Sequence, residues 1–290
     1  MAEIQYAAPE TVAAAVKALA AGKGRAKVLA GGTDLLVQLR AGRISPDVIV
    51  DIKKIPELRK VKKDKGGFRV GAAVSGQELG ENADFRAAWP GVLEGFELIG
   101  STQVQGRASL GGNLCNGSPA ADGVPGLIAA GATVTIAGPK GEREENVEDI
   151  VTGPGQTSLK AGEFVVSINL PKRGKRGGDA YLRFIPRTEM DIAVVGAAVS
   201  LTLDAKGVCT DARVSLGAVA PRPLLVKAAG KALIGTKVDD AALDALAAAA
   251  SAACSPIDDK RGTIEFRTKV AGVLARRAAL IALERARNNA

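Results

Sequence analysis

The sequence predicts an α+β fold: a larger N-terminal unit of strands and short helices, then a smaller C-terminal unit with an antiparallel sheet and helices. Three observations carry that prediction. Up to about residue 136, short apolar runs end in paired glycines and pass into helical periodicity; the basic, glycine-rich "KRGKRGGD" at 172–179 reads as a linker; beyond it, long strand patterns give way to Ala-rich helices. At 290 residues and 47% hydrophobic content, the chain is long enough to bury a sizeable core. The expected boundaries are 1–175, with subdomains at about 1–58 and 59–175, and 178–290.

Each element follows from a local pattern. "ETVAAAVKALAA" at 10–21 places Val12, Val16 and Leu19 at helical spacing and ends at Gly22 to Gly24. A strand is expected at Lys27 to Ala30, then a Gly31-Gly32 turn, then a helix over "DLLVQLRAG" with Thr33 or Asp34 as N-cap and Gly42 past its end. "DVIVDI", Asp47 to Ile52, reads as a buried strand. This opening predicts a βαβ-like layer preceded by a helix. After a charged linker around Lys60 to Gly67, "FRVGAAV" alternates as a half-buried strand, and residues 76–100 hold one or two helices broken at Trp89-Pro90. Residues 107–136 read as turn, loop, short helix and strand, and "GEFVVSINLP" as a closing strand. In the C-terminal unit, "YLRFIP", "IAVVGAAVSLTLD" and "CTDARVSLGAVA" predict the sheet, and Asp239 to Ala253 and Arg267 to Arg287 predict helices. In the last helix, Val270, Leu274, Ala278 and Ile281 form the expected apolar stripe, with Arg276, Arg277 and Arg285 pointing away.

Composition excludes several kinds of chemistry. The chain has no histidine, which removes Ser-His-Asp and Cys-His catalysis, histidine metal sites and histidyl-linked cofactors, so difficult chemistry would need a cofactor. Cys115, Cys209 and Cys254 lie far apart with no CxxC pair, so no metal or iron–sulfur cluster is expected on this chain; Cys115 reads as a small loop residue. A net charge of +8 comes with only 3% aromatic residues, which speaks for solvated basic faces and an acidic partner, not nucleic acid. The segment "MAEIQYAAP" shows no leader pattern and no later stretch resembles a membrane span, so a cytoplasmic protein is expected, with membrane association peripheral at most.

Two glycine pairs remain, Gly31-Gly32-Thr33-Asp34 and Ser109-Leu110-Gly111-Gly112-Asn113. Backbone amides in such turns can converge on phosphate oxygens, and a Cβ would hold the phosphate away. Each pair alone is also what an ordinary turn would show. Together, with the second leading into "NLCNGSPAAD", they describe a split anion site. Neither a GxGxxG turn after a strand nor a GxxxxGK segment followed by Ser or Thr is present.

The segments "AGGTDLL" at 30–36, "IGSTQVQGRASLGGNLCNGSPAAD" at 99–122 and "YLRFIPRTEMDIAVV" at 181–195 resemble the FAD-binding medium subunit of molybdenum hydroxylases, the xanthine dehydrogenase and carbon monoxide dehydrogenase group. The resemblance runs over essentially the whole chain. It implies a two-subdomain FAD-binding domain of the vanillyl-alcohol-oxidase type, followed by a C-terminal domain of CO dehydrogenase flavoprotein type. It also implies that Leu29, Ala30, Gly31, Gly32, Thr33, Asp34, Leu35 and Leu36 grip the FAD pyrophosphate from one side and Ser109, Leu110, Gly111, Gly112 and Asn113 from the other. Asp122 would help hold the ribose and diphosphate region, although it reads equally as an N-cap for "GVPGLIAAG". Ile99 would pack by the isoalloxazine ring, Arg183 would face the flavin, and Val166 would complete the site. No side chain is expected to be catalytic. The absence of histidine implies non-covalent FAD.

The same resemblance implies partners: a molybdopterin large subunit, and a small subunit with iron–sulfur clusters that pass electrons to FAD here and on to NAD, a quinone or another acceptor. A dimer of heterotrimers is expected. Two other readings stay open, a stand-alone flavoprotein reductase of the same fold and a non-enzymatic scaffold.

Overall fold

The structure, a computed structural model, describes residues 4–289; the first three residues of the segment read for a leader, and Ala290, lie outside that range. The opening layer is a parallel three-stranded sheet in the order β1–β3–β2, from β1 (Gln5–Ala7), β2 (Ala26–Leu29) and β3 (Val48–Asp51). Helix α1 (Val12–Ala21) crosses from β1 to β2, and α2 (Leu35–Arg40) from β2 to β3. The first helix is therefore inside the layer and does not precede it. Strand β1 is too short for a period to register, and Tyr6 ties it to β3 by donating its hydroxyl to Asp51 at 2.6 Å. Thr11 caps α1 by accepting from the Ala14 amide. Asp34 occupies the N-cap of α2 without a side-chain hydrogen bond, and Gly42 follows the helix with φ +65°.

The second layer is an antiparallel sheet in the order β4–β5–β10–β6–β7. Its strands are β4 (Val61–Asp64), β5 (Gly67–Gly71), β6 (Thr133–Gly138), β7 (Gly141–Asn146) and β10 (Phe164–Pro171), with a small hairpin of β8 (Val151–Gly153) and β9 (Gln156–Thr157) beside it. The charged segment expected as a linker is in fact edge strand β4; its lysines hid the pattern, and lysine-rich edges discourage pairing with other chains. Phe68, Val70, Val134, Ile136, Ile168 and Leu170 are buried on one face of the sheet. Short helices share that core: α3 (Gly76–Gly80), α4 (Ala83–Ala88), α5 (Pro90–Glu97), α6 (Thr102–Gln105), α7 (Leu110–Cys115), α8 (Gly123–Ala129) and α9 (Val147–Ile150), with α7 against β10 while α5 and α8 also pack on the C-terminal sheet. The break at Trp89-Pro90 separates α4 from α5, and a further break at the Asn82 cap makes three helices of the expected one or two.

The C-terminal sheet is antiparallel in the order β11–β12–β13–β14, from β11 (Gly177–Phe184), β12 (Val195–Leu203), β13 (Cys209–Gly217) and β14 (Leu224–Leu225). It is followed by α10 (Lys227–Leu233), α11 (Asp240–Ala252) and α12 (Ile264–Asn288). The core face of α12 is mainly alanine (Ala271, Ala275, Ala278, Ala279, Ala282, Ala286), with Leu274 and Leu283; Val270 and Ile281 flank it. Arg276 is held by Asp240 and Asp244 of α11, and Arg285 does not point away but pairs with Glu94 of α5. A half-buried carboxylate across the junction overrides the simple stripe. Among the described residues, no helix is long and apolar enough to cross a membrane.

Candidate cofactor site

Strand β2 delivers the chain to Gly31, whose backbone lies against the carbonyl of Arg107: an added Cβ would sit 2.0 Å from that oxygen. Gly32, at φ +79°, then turns the chain into α2. Opposite, Ser109 caps α7 by accepting from the Gly112 amide at 3.1 Å, and a Cβ on Gly111 would sit 2.7 Å from the Ala72 carbonyl oxygen. The bare glycines were expected to make room for a ligand. Gly31 and Gly111 are instead required by close approaches of the protein's own backbone, whereas at Gly112 a Cβ would press only on the Ser109 hydroxyl, Oγ at 3.2 Å, and on no backbone.

The two segments face one cavity of about 520 Å³, within the range of small-molecule and cofactor sites. Ala30, Gly31, Gly32, Thr33, Asp34 and Leu35 line it from the first layer, and Ser109, Gly111, Gly112, Asn113 and Ile99 from the second. Leu29, Leu110, Asp122, Val166 and Arg183 are not in its lining. Leu29 and Leu110 pack behind the walls, and Val166 is buried at a bulge of β10, where its carbonyl accepts from the Ala72 amide. Asp122 begins α8 without capping it through its side chain; its carboxylate accepts from Tyr181 Oη at 2.7 Å and from Arg183 Nη1 at 2.8 Å. The amide of Gly123 donates instead to Asn113 Oδ1.

Sequence reading missed the third wall, formed by Gly155, Thr157, Leu159, Lys160 and Gly162 through Val165. Its signal was the positive-φ glycines Gly155 (φ +69°) and Gly162 (φ +81°) bracketing a polar loop. Gln38 and Asn116, hydrogen-bonded at 3.0 Å, join the walls of the two layers. Cys115 also lines the cavity; it ends α7 instead of lying in a loop, and burial pushes its thiol up to about 12, so it stays protonated.

The donor set tests whether FAD fits. Among the described residues, the amides of Gly31, Gly32, Thr33, Asp34 and Leu35 donate to no protein group, and neither do those of Leu110 and Gly111. Such unengaged amides on glycine-bearing walls suit a diphosphate. Lys27 and Lys160 add cationic groups, and Ile44, Ile52, Ile99 and Leu159 add apolar surface for flat rings. Asp34 is exposed at the residue level, so the upward push of burial on its carboxyl is screened by water. The residues present fit the cofactor.

Comparison with known proteins agrees with this geometry. Residues 2–173 match the family model described as the FAD binding domain in molybdopterin dehydrogenase, and residues 180–282 the CO dehydrogenase flavoprotein C-terminal domain. The chain is 35% identical to the carbon monoxide dehydrogenase medium chain of Afipia carboxidovorans, covering 98% of each chain. It is 31% identical to a xanthine dehydrogenase FAD-binding subunit of Escherichia coli, covering 90% of each. A carbon monoxide dehydrogenase structure from Hydrogenophaga pseudoflava superposes with a TM-score of 0.93 at 32% identity, over 98% of both chains. The chain belongs to the FAD-binding subunits of the molybdopterin dehydrogenases, a family of flavin-dependent oxidoreductases.

Proposed function

We propose that this chain holds FAD non-covalently in the cavity between its two N-terminal layers. In that reading it is the electron-transfer subunit of a cytoplasmic molybdenum hydroxylase complex. A molybdopterin large subunit oxidises the substrate, and an iron–sulfur small subunit delivers the electrons to this chain for release to an external acceptor; two such heterotrimers associate. The observation that carries the reading is the pair of glycine-bearing walls with unengaged amides on one cavity. Bound FAD supplies an acceptor that takes up electrons singly and releases them as a pair. The chain's residues bind and orient. The amides of 31–35 and of Gly111 hold the diphosphate, Ile99 gives the ring an apolar neighbour, and Leu29, Leu110 and Val166 support those walls from behind.

The test is to purify the full chain, measure its visible flavin absorbance, and release the cofactor with acid. Yellow protein yielding free FAD is expected, and a colourless protein that ignores added FAD would overturn the reading. Co-purification with cluster-bearing and molybdenum-bearing chains distinguishes a complex subunit from a stand-alone reductase.

A further inference from the structure

The C-terminal sheet reaches into the support of this cavity. Tyr181 and Arg183, two residues apart on β11, point toward the same carboxylate: Asp122 receives the Tyr181 hydroxyl on one oxygen and Arg183 on the other. All three side chains are nearly sealed from solvent, Arg183 at 4% and Asp122 at 8% exposure, and Tyr181 is buried. The same Arg183 nitrogen donates to the Leu98 carbonyl at 2.7 Å.

That carbonyl lies at the C-terminal end of α5, where helix carbonyls have no partners within the helix. Gln105 takes the two neighbouring ones, donating to Glu97 O at 2.6 Å and Ile99 O at 3.2 Å. Three successive carbonyls, ending at Ile99 of the cavity wall, are thus fixed from outside the helix. The Arg183–Asp122 pair also bridges the carbonyl end of α5 and the amide end of α8, so each charge sits beside the helix end that favours it. The two helices are in close contact there, since a Cβ on Gly95 of α5 would come within 2.4 Å of the Asp122 carbonyl oxygen.

We propose that Arg183 and Tyr181 are positioning residues for the flavin-ring end of the cavity. Through Leu98 and Asp122 they fix Ile99 and the start of α8, so the C-terminal unit sets how tightly FAD is held. The inference rests on the FAD reading above and differs from a direct contact between Arg183 and the flavin. Tyr181 makes the distinction, because it lies outside the cavity lining and, among the described residues, its hydroxyl hydrogen-bonds only to Asp122.

The experiment measures FAD dissociation constants and flavin midpoint potentials for the full chain and for Arg183→Ala, Arg183→Lys, Tyr181→Phe and Arg213→Ala. Arg213 is the control: it pairs with Glu148 across the same junction, away from the cavity lining. The expected result is a rise in dissociation constant of about tenfold or more for Arg183→Ala. Tyr181→Phe should show a smaller rise, both should shift the potential, Arg183→Lys should restore part of the loss, and Arg213→Ala should match the wild type. An effect at Arg183 with a silent Tyr181→Phe would overturn the inference in favour of direct contact, and equal loss in Arg213→Ala would overturn it in favour of general loosening. If Arg183→Ala does not fold, Arg183→Lys and Tyr181→Phe decide the matter. A wild-type chain that binds no FAD removes the parent reading, whereas wild-type binding with unaffected variants removes this inference alone.

Discussion

The glycines of the cavity separate into two physical classes. At Gly31 and Gly111 the added methyl of alanine would collide with backbone carbonyls at 2.0 and 2.7 Å, so substitution must move the chain. At Gly112 it would press only on Ser109 Oγ, and alanine is the better helix former by about 1 kcal/mol. Gly111→Ala is therefore expected to lose about 1–3 kcal/mol in urea unfolding. Gly112→Ala is expected to keep its stability within about 1 kcal/mol while losing FAD. Full FAD retention by Gly112→Ala would show that this segment does not hold the cofactor. The bareness of the turns was legible in the sequence and its cause was not, because the Arg107 and Ala72 carbonyls that demand it lie far along the chain.

Short helices set the cavity's walls, and their caps decide whether they form. Ser109 holds the first turn of α7 by accepting from Gly112. Ser109→Ala is expected to cost about 1 kcal/mol of stability and to weaken FAD binding together with it, whereas Thr at the same position should restore both. A Ser109→Ala protein with unchanged unfolding would show that the cap contributes nothing. Most strands and the two long C-terminal helices were legible because apolar periodicity runs along them for several turns or pleats. Three of the short elements were not: β1 lacks a full period, β4 is masked by its lysines, and α10 offers only one turn of buried face at Ala229, Gly230 and Leu233. The wall at 155–165 was missed for a related reason, since a loop that packs by its backbone leaves little pattern in its side chains.

Arginines join the C-terminal unit to the rest of the molecule: Arg183 to Asp122, Arg213 to Glu148, and Arg285 to Glu94. At the same junction Asp179 of β11 lies 2.8 Å from Arg173, which itself stacks 3.8 Å over Trp89. Both charged side chains are almost completely buried, and the contact is not aligned as a hydrogen bond. Burial raises the Asp179 carboxyl to about 6, with Arg173 and Arg285 opposing the shift. Removing both charges from water thus outweighs their attraction. The sign of the pH dependence follows directly. An unfolded aspartate titrates near about 4, so between about 4 and about 6 the folded chain holds a proton that the unfolded chain has released. Stability from this group is present below that window and falls as pH rises through it. Relative to Asp179→Asn, which cannot titrate, the wild type should lose up to about 3 kcal/mol between pH about 4 and about 7. Urea unfolding of both proteins across that range measures the difference. A flat difference would mean that the carboxylate is ionised throughout and that its pairing with Arg173 outweighs the burial of both groups.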